Sequence, residues 1–439
     1  MKKLLLLPVL LLALLTGCKK NDKDENTAKD SYTIAVLSDI HYMDPSLLIK
    51  DGKVFQNYLV LNGKLLEASD AIMNEVINEL ILAKPDLVLI IGDLTKDGEM
   101  VGHVTMHLYL EKLIEKGIKV RVIDGNHDIY CVNSNVYNDS ISTRVQNISP
   151  DQFRWIYSDC GYQTALYQDP YSLSYVSEPL PNLWLIAIDD CNYDNINPLP
   201  YTAGAIRPGT MKWVLERMAE AKARGKTVFG MMHHGLVEHF EGQQRNFPGF
   251  LVDDYEKTSD TLINAGLKVM FTGHFHATDI VQRTHNSITL YDIETGSPVV
   301  YPCTYRMITY IKDSALIIST NQITNIKFKN VTTPQAFEKY ADSLTLKAAD
   351  TLCWVMVLNN YPHKDTVNIW KIAHCMGTAM VAHFAGDEDL SLEDKSLINS
   401  VSNQYTPSQW LPDYCDHLWT DLSPKDKSLT ILLKSGKSY

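Results

Sequence analysis

The sequence predicts an α/β fold with central sheets, on three observations. Short apolar runs rich in β-branched residues alternate with amphipathic stretches from residue 32 to about residue 300. The runs show little strict alternation, as in strands buried on both faces. Each ends in a polar cluster, and in α/β sheets ligands gather at the carboxyl ends of the strands.

The strands expected are 32–37, 86–91, 119–123, 183–188, 227–232, 267–271 and 288–291. Between them, the stretch 65–83 places Leu66, Met73, Ile77 and Leu80 near one helical face. The stretch 211–223 repeats the pattern with Val214, Leu215 and Met218, and Thr210 is placed to cap it. After residue 330 the texture changes: 335–358 and 366–384 read as helices, and 391–432 is mixed, with Pro407, Pro412 and Pro424. The predicted organisation is a signal segment at 1–18, a tether at 19–31, an α/β domain at 32–330 and a mainly helical C-terminal region at 331–439.

With 439 residues, 45% hydrophobic and 21% charged, the chain has material for a core that needs no disulfide staples. The formal net charge of −12 argues against a sequence-independent grip on nucleic acid, which needs a Lys/Arg-rich surface. It leaves a phosphorylated substrate open, because metal ions supply local positive charge.

Lys2 and Lys3 precede an apolar run from Leu4 to Leu15, and Thr16-Gly17-Cys18 follows. That order describes an export signal. The run is too short to span a bilayer. Leu15-Thr16-Gly17-Cys18 also resembles a bacterial lipobox, which implies a lipidated Cys18 holding an exported chain on a membrane. Beyond Cys18, the Cys are 131, 160, 191, 303, 353, 375 and 415, with no CxxC pair. Export permits disulfides, and the sequence assigns none.

Five polar clusters sit where an expected strand has just ended. They are Asp39-Ile40-His41, Gly92-Asp93, Gly125-Asn126-His127-Asp128, His233-His234 and Gly273-His274-Phe275-His276. Six of the 14 His fall within them. Carboxylate, imidazole and amide oxygen are ligands for Zn, Mn or Fe in hydrolytic sites. An Asp-x-His or His-x-His pair sends both side chains to one side of a sheet. Seven donors are too many for one tetrahedral ion and suit two ions sharing a bridging group. Two such ions clamp the oxygens of a phosphoryl displacement and make hydroxide available near neutral pH.

In order and spacing these clusters resemble the signature of the calcineurin-like metallophosphoesterase superfamily, over roughly residues 32–300. The resemblance implies a β-sandwich flanked by helices and two divalent or trivalent ions, Mn, Fe or Zn. It implies Asp39, His41 and His276 on the first ion, Asn126, His233 and His274 on the second, and Asp93 as the bridge. His127 would face the scissile phosphate and protonate the leaving oxygen, with Asp128 orienting it. Purple acid phosphatases carry a Tyr three residues after the Asp of the second motif. Lys96 stands there, so their tyrosinate-to-iron colour is not expected.

The expected reaction is hydrolysis of a phosphomonoester or phosphodiester by metal-bound hydroxide. Two alternatives stand beside it: a phospholipid or sphingomyelin-type phosphodiesterase, and a non-catalytic surface lipoprotein with a vestigial site. Other features read more simply. His103 and His107 are expected on a satisfied helix face, Arg207 in a solvated loop, and His374 and His383 in a core. His234 is expected behind the ligands or facing substrate, and His239 close to the same loop. Gly225-Lys226-Thr227 is not a P-loop, since Glu220 stands where its first Gly belongs. The sequence assigns no oligomeric state.

Overall fold

A computed structural model describes residues 29–193, 201–360, 366–386, 388, 391–392, 395–396, 398–400 and 410–439. The expected signal segment, Cys18 and most of the tether lie outside the described residues. Among those described, no helix is long and apolar enough to cross a membrane.

The strands in chain order are β1 (Ser31–Ser38), β2 (Leu48–Lys50), β3 (Leu87–Ile91), β4 (Lys119–Ile123), β5 (Asn135–Asn138) and β6 (Ile141–Arg144). There follow β7 (Tyr167–Gln168), β8 (Tyr175–Leu180), β9 (Leu183–Ala187), β10 (Thr227–Met231), β11 (Val269–Thr272) and β12 (Ile280–His285). The last are β13 (Ile288–Glu294), β14 (Thr304–Ile311), β15 (Ala315–Gln322), β16 (Ser428–Leu432) and β17 (Lys437–Ser438). One seven-stranded sheet runs β17-β16-β15-β14-β1-β3-β4, and a second runs β12-β13-β11-β10-β9-β8-β7. A small sheet, β2-β5-β6, stands apart.

The two large sheets stack face to face. Phe229 of β10 meets Tyr310 of β14 at 5.3 Å between ring centroids, and the Tyr175 hydroxyl of β8 donates to the Val122 carbonyl of β4 at 2.9 Å. Helix Ser69–Ala83 buries Ile72, Met73, Val76, Ile77 and Leu80 in the same core as the first sheet. Outside the second sheet, Val214, Met218, Leu262 and Ile263 of two helices pack with Trp184, Ile186 and Met270. The central strands β1, β3 and β4 are parallel, as are β9, β10, β11 and β13. Their carboxyl ends therefore lie along one edge of the sandwich.

All seven expected strands form, with ends shifted by at most three residues. The strands β8, β12, β14 and β15 were not expected. They are antiparallel, and β12, β14 and β15 mix buried and exposed positions, so no continuous apolar run marks them. Beyond residue 330, helices Pro334–Asn360 and Thr366–Ala385 match the reading. The chain then returns: β16 pairs with β15, aligning Leu316 with Ile431, and extends the first sheet. All seven described Cys are buried, and no disulfide joins any two of them.

The C-terminal helices join the sandwich through apolar contact and a buried ionic cluster. Ile372, Met376 and Met380 share a core with Phe240, Phe247 and Phe275. Beside it, His239 Nδ1 lies 3.1 Å from Asp279 Oδ1 and Nε2 lies 3.4 Å from Asp292 Oδ2. His383, on the helix, has Nδ1 3.5 Å from Asp279 Oδ2. Burial pushes the Glu294 carboxyl up to about 8 against the opposing pull of His239. A carboxyl raised in the fold contributes stability below its unfolded value, near 4.5, that is lost as pH rises through about 8. Between pH 5 and pH 8 the metal-free wild type should therefore lose stability to urea relative to Glu294→Gln, by up to one proton, about 1.4 kcal/mol per pH unit.

Candidate metal centre

The clusters converge at the edge where the parallel strands end. Asp39 and His41 leave β1, Asp93 leaves β3, Asn126 and His127 leave β4, His233 leaves β10, and His274 and His276 leave β11. Two hydrogen bonds tie the loops together: His274 N donates to Asp39 Oδ2 at 2.9 Å, and His127 N donates to Asp93 Oδ1 at 2.8 Å. Space is short where they meet. A side chain at Gly92 (φ +74°) would press on the His233 ring, its Cβ 2.4 Å from Nδ1. At Gly273 a Cβ would lie 1.8 Å from Ser38 Oγ, which donates to the Asp39 carboxylate. Five candidate ligands hold left-handed backbone, Asp39 (φ 52°), His41 (42°), Asp93 (50°), His274 (76°) and His276 (68°). Such residues cost about 1 kcal/mol or more each and concentrate at functional sites.

Two ligand groups result. In the first, Asp39, His41 and His276 bring one ligand atom each within 4.8 Å of the others. His41 Nε2 and His276 Nε2 are 3.1 Å apart. In the second, Asp93, His233 and His274 do the same. His233 Nε2 lies 3.1 Å from His274 Nδ1 and 3.2 Å from Asn126 Oδ1. Asp93 Oδ2 stands between the groups, 3.5 Å from His41 Nε2 and 3.4 Å from His233 Nε2. The donors fit a pair of cations: Asp39 Oδ1 is buried with no hydrogen-bond partner, and a bound cation would satisfy it.

Protonation favours the same use. Burial lowers His41, His274 and His276 below the ordinary imidazole range, which keeps them neutral and able to ligate. His233 differs: burial opposes its charge, but Asp93 and Asp39 raise it to about 10. Asp93 is held well below the usual carboxylate range despite its burial, by His233, His127 and His41.

One assignment needs correction. Asp128 does not touch the His127 ring. Its carboxylate accepts from Leu94 N at 3.1 Å, Thr95 N at 3.0 Å and Gly125 N at 2.9 Å, so it pins two ligand loops. Burial and the charge of Asp93 push it up to about 7. The residue that meets His127 is Asp97, whose Oδ1 lies 2.8 Å from His127 Nδ1. Asp97 is anchored by Lys96, 2.6 Å away and fully buried, and Lys96 also holds Glu99 at 2.7 Å. Asp97 lies four residues past Asp93 in the same loop, and that proximity was the available signal.

Lys64 was also missed. It is buried, with Nζ 3.3 Å from His41 Nδ1. Nothing in its local sequence marks it, because a turn after helix Lys53–Asn62 delivers it. His234 packs behind the ligands, its ring centroid 4.3 Å from that of His274, while its nitrogens are engaged elsewhere: Nδ1 lies 3.1 Å from Asp190 Oδ2 and Nε2 lies 2.7 Å from the Thr202 carbonyl. His103 is satisfied in the core by the Tyr157 hydroxyl and the Asp128 carbonyl, and His107 meets Asp159. Arg207, expected in solvent, pairs with buried Asp189 at 3.3 Å.

Mn²⁺ or Zn²⁺ should raise the melting temperature of the wild type, since a ligand that binds only the folded state stabilises it. Asp93→Ala should lose most of that shift, while His127→Ala should keep it. Asp128→Ala should lower stability by about 3 kcal/mol or more without added metal, because three buried N–H donors lose their acceptor.

Known proteins place this geometry. The sequence matches the calcineurin-like phosphoesterase family over residues 32–278. No curated protein sequence matches the chain. Among solved structures, a dimetal phosphatase from Danio rerio is 12% identical, covering 66% of this chain and 96% of its own, with a TM-score of 0.45. A purple acid phosphatase from yellow lupin (Lupinus luteus) is 11% identical over 68% of this chain and 52% of its own, at a TM-score of 0.38. GAP50, the anchor in the inner membrane complex of Plasmodium, is 12% identical over 71% and 95%, at 0.34. With every candidate ligand inside the matched span, the chain belongs to the calcineurin-like phosphoesterase family and is a metal-dependent phosphoester hydrolase.

Proposed function

We propose that the chain hydrolyses a phosphate monoester or diester at a dinuclear centre. Asp39, His41 and His276 would hold one cation and Asn126, His233 and His274 the other, with Asp93 placed to serve both. The observation that carries this reading is the position of Asp93 Oδ2, nearly equidistant from His41 Nε2 and His233 Nε2. Two cations there supply Lewis acidity and lower the pKa of a bound water toward ~7.

The chain's own residues do the rest. Asp93 keeps its bridging oxygen in place because its other oxygen accepts from His127 N. His127 is the most solvent-open imidazole of the group, with its side chain 20% exposed. With Nδ1 directed at Asp97, its Nε2 is the nitrogen that meets a substrate oxygen and delivers a proton to the leaving group. Asp97, 2.8 Å from Nδ1, fixes the ring orientation. The non-catalytic alternative calls for a decayed ligand set, and none of the seven expected ligands is substituted. We also propose, from the export signal and the lipobox-like Leu15-Thr16-Gly17-Cys18, that the enzyme works outside the cytoplasm, held on a membrane through lipidated Cys18.

The test offers Mn²⁺-loaded protein p-nitrophenyl phosphate and bis-p-nitrophenyl phosphate, with Asp93→Ala as control. Turnover of either ester that Asp93→Ala abolishes is expected. No turnover by fully metallated wild type would overturn the reading. His127→Ala should keep both metals by elemental analysis yet lose 10²–10⁴-fold in kcat, about the worth of a general acid. Metal loss in that variant would refute its role. Asp97→Asn should cost about 10–100-fold, as for other residues that orient a working imidazole.

A further inference from the structure

We infer that the ester group of the substrate is apolar, and that it lodges in a cavity the C-terminal helices build against the metal centre. The inference rests on the phosphoesterase reading and names the substrate class of that site. The cavity measures about 140 Å³. Its walls include Phe247, Phe250, Phe275, Ala348, Met380 and Phe384, and it is also lined by the candidate ligand His276. The contact with the centre is direct. The Phe250 ring packs on His274 at 4.7 Å and on Phe275 at 4.8 Å, and Phe275 lies between the two ligands in sequence. A phosphate at the cations therefore has this cavity beside it.

The lining selects against polar esters. Apart from His276, its polar side chains are Asn62 and Thr345. Asn62 Nδ2 donates to the Tyr58 carbonyl at 2.8 Å, and Thr345 Oγ1 accepts from Tyr301 N at 3.1 Å. A sugar or nucleobase would find few partners there and would strand its own polar groups. An apolar group gains instead from leaving water. A dry cavity of about 150 Å³ takes a benzene-sized guest, so one ring or about six carbons fits here. At the mouth, Leu61 and Leu352 are 68% and 45% exposed, and a longer chain would continue over them. The occupant we infer is the apolar alcohol portion of the substrate itself.

The test uses the metal-loaded full chain and compares hexyl phosphate and phenyl phosphate with glycerol 3-phosphate. The apolar esters should show kcat/KM at least ~10-fold higher, the scale of discrimination a hydrophobic pocket delivers. Calorimetry should find hexylphosphonate binding ~10-fold tighter than methylphosphonate, a readout that needs no turnover. Leu352→Trp narrows the mouth from an exposed position and should remove most of both advantages. Leu61→Asp, also exposed, should reduce them. Equal kcat/KM across the three esters, or a preference untouched by both variants, would overturn the inference and leave the phosphoesterase reading standing. Absence of all turnover would sink that reading instead, and the phosphonate comparison would still decide what the cavity binds.

Discussion

Two buried carboxylates hold this site together, each pinned through one oxygen so that the other faces its neighbours. Asp39, at the end of the first sheet's β1, accepts from the backbone of His274 at the end of the second sheet's β11. Asp93 accepts from the backbone of His127. The first bond stitches the two sheets at the edge where all the parallel strands terminate. It also leaves Asp39 Oδ1 buried without a partner among the described residues. Left-handed backbone at five candidate ligands adds strain that the surrounding sandwich must overcome. The geometry favours cation binding over the stability of the empty protein.

Charge around the centre is divided rather than uniform. Three imidazoles are kept neutral by burial, while His233 gathers a proton from the carboxylates around it. Cation binding at that position competes with a proton, which links metal affinity to pH. The carboxylates of Asp97 and Asp128 divide two tasks that the sequence reading gave to Asp128 alone. Asp128 satisfies backbone N–H groups of two loops, and Asp97 meets the His127 imidazole with buried Lys96 behind it. The first task is structural, and the second bears on proton transfer.

The C-terminal helices extend the centre. They reach it through the core around Phe240, Phe247 and Phe275 and through the His239–Asp279–His383 cluster. Gly63, in left-handed backbone, lets the turn before Lys64 pack closely on Ala348, where a Cβ would lie 2.8 Å away. The same turn delivers Lys64 to His41, so one local conformation serves both the cavity wall and the metal centre. The return of the chain as β16 fastens this region back onto the first sheet.

The sequence by itself determined the parallel strands and the ligand-bearing loops that follow them. A strand buried on both faces needs a continuous apolar run, and a polar cluster ending such a run lies at the sheet edge; both signals are local. The order of Asp39, His41, Asp93, Asn126, His127, His233, His274 and His276 along the chain already marked the family. Tertiary structure alone decided which carboxylate meets His127, how Lys64 arrives beside His41, and where β14, β15 and β16 belong. It also decided that the C-terminal helices wall an apolar cavity beside His276. Those outcomes depend on contacts between residues far apart in the chain, and no periodicity or spacing in a single segment encodes them.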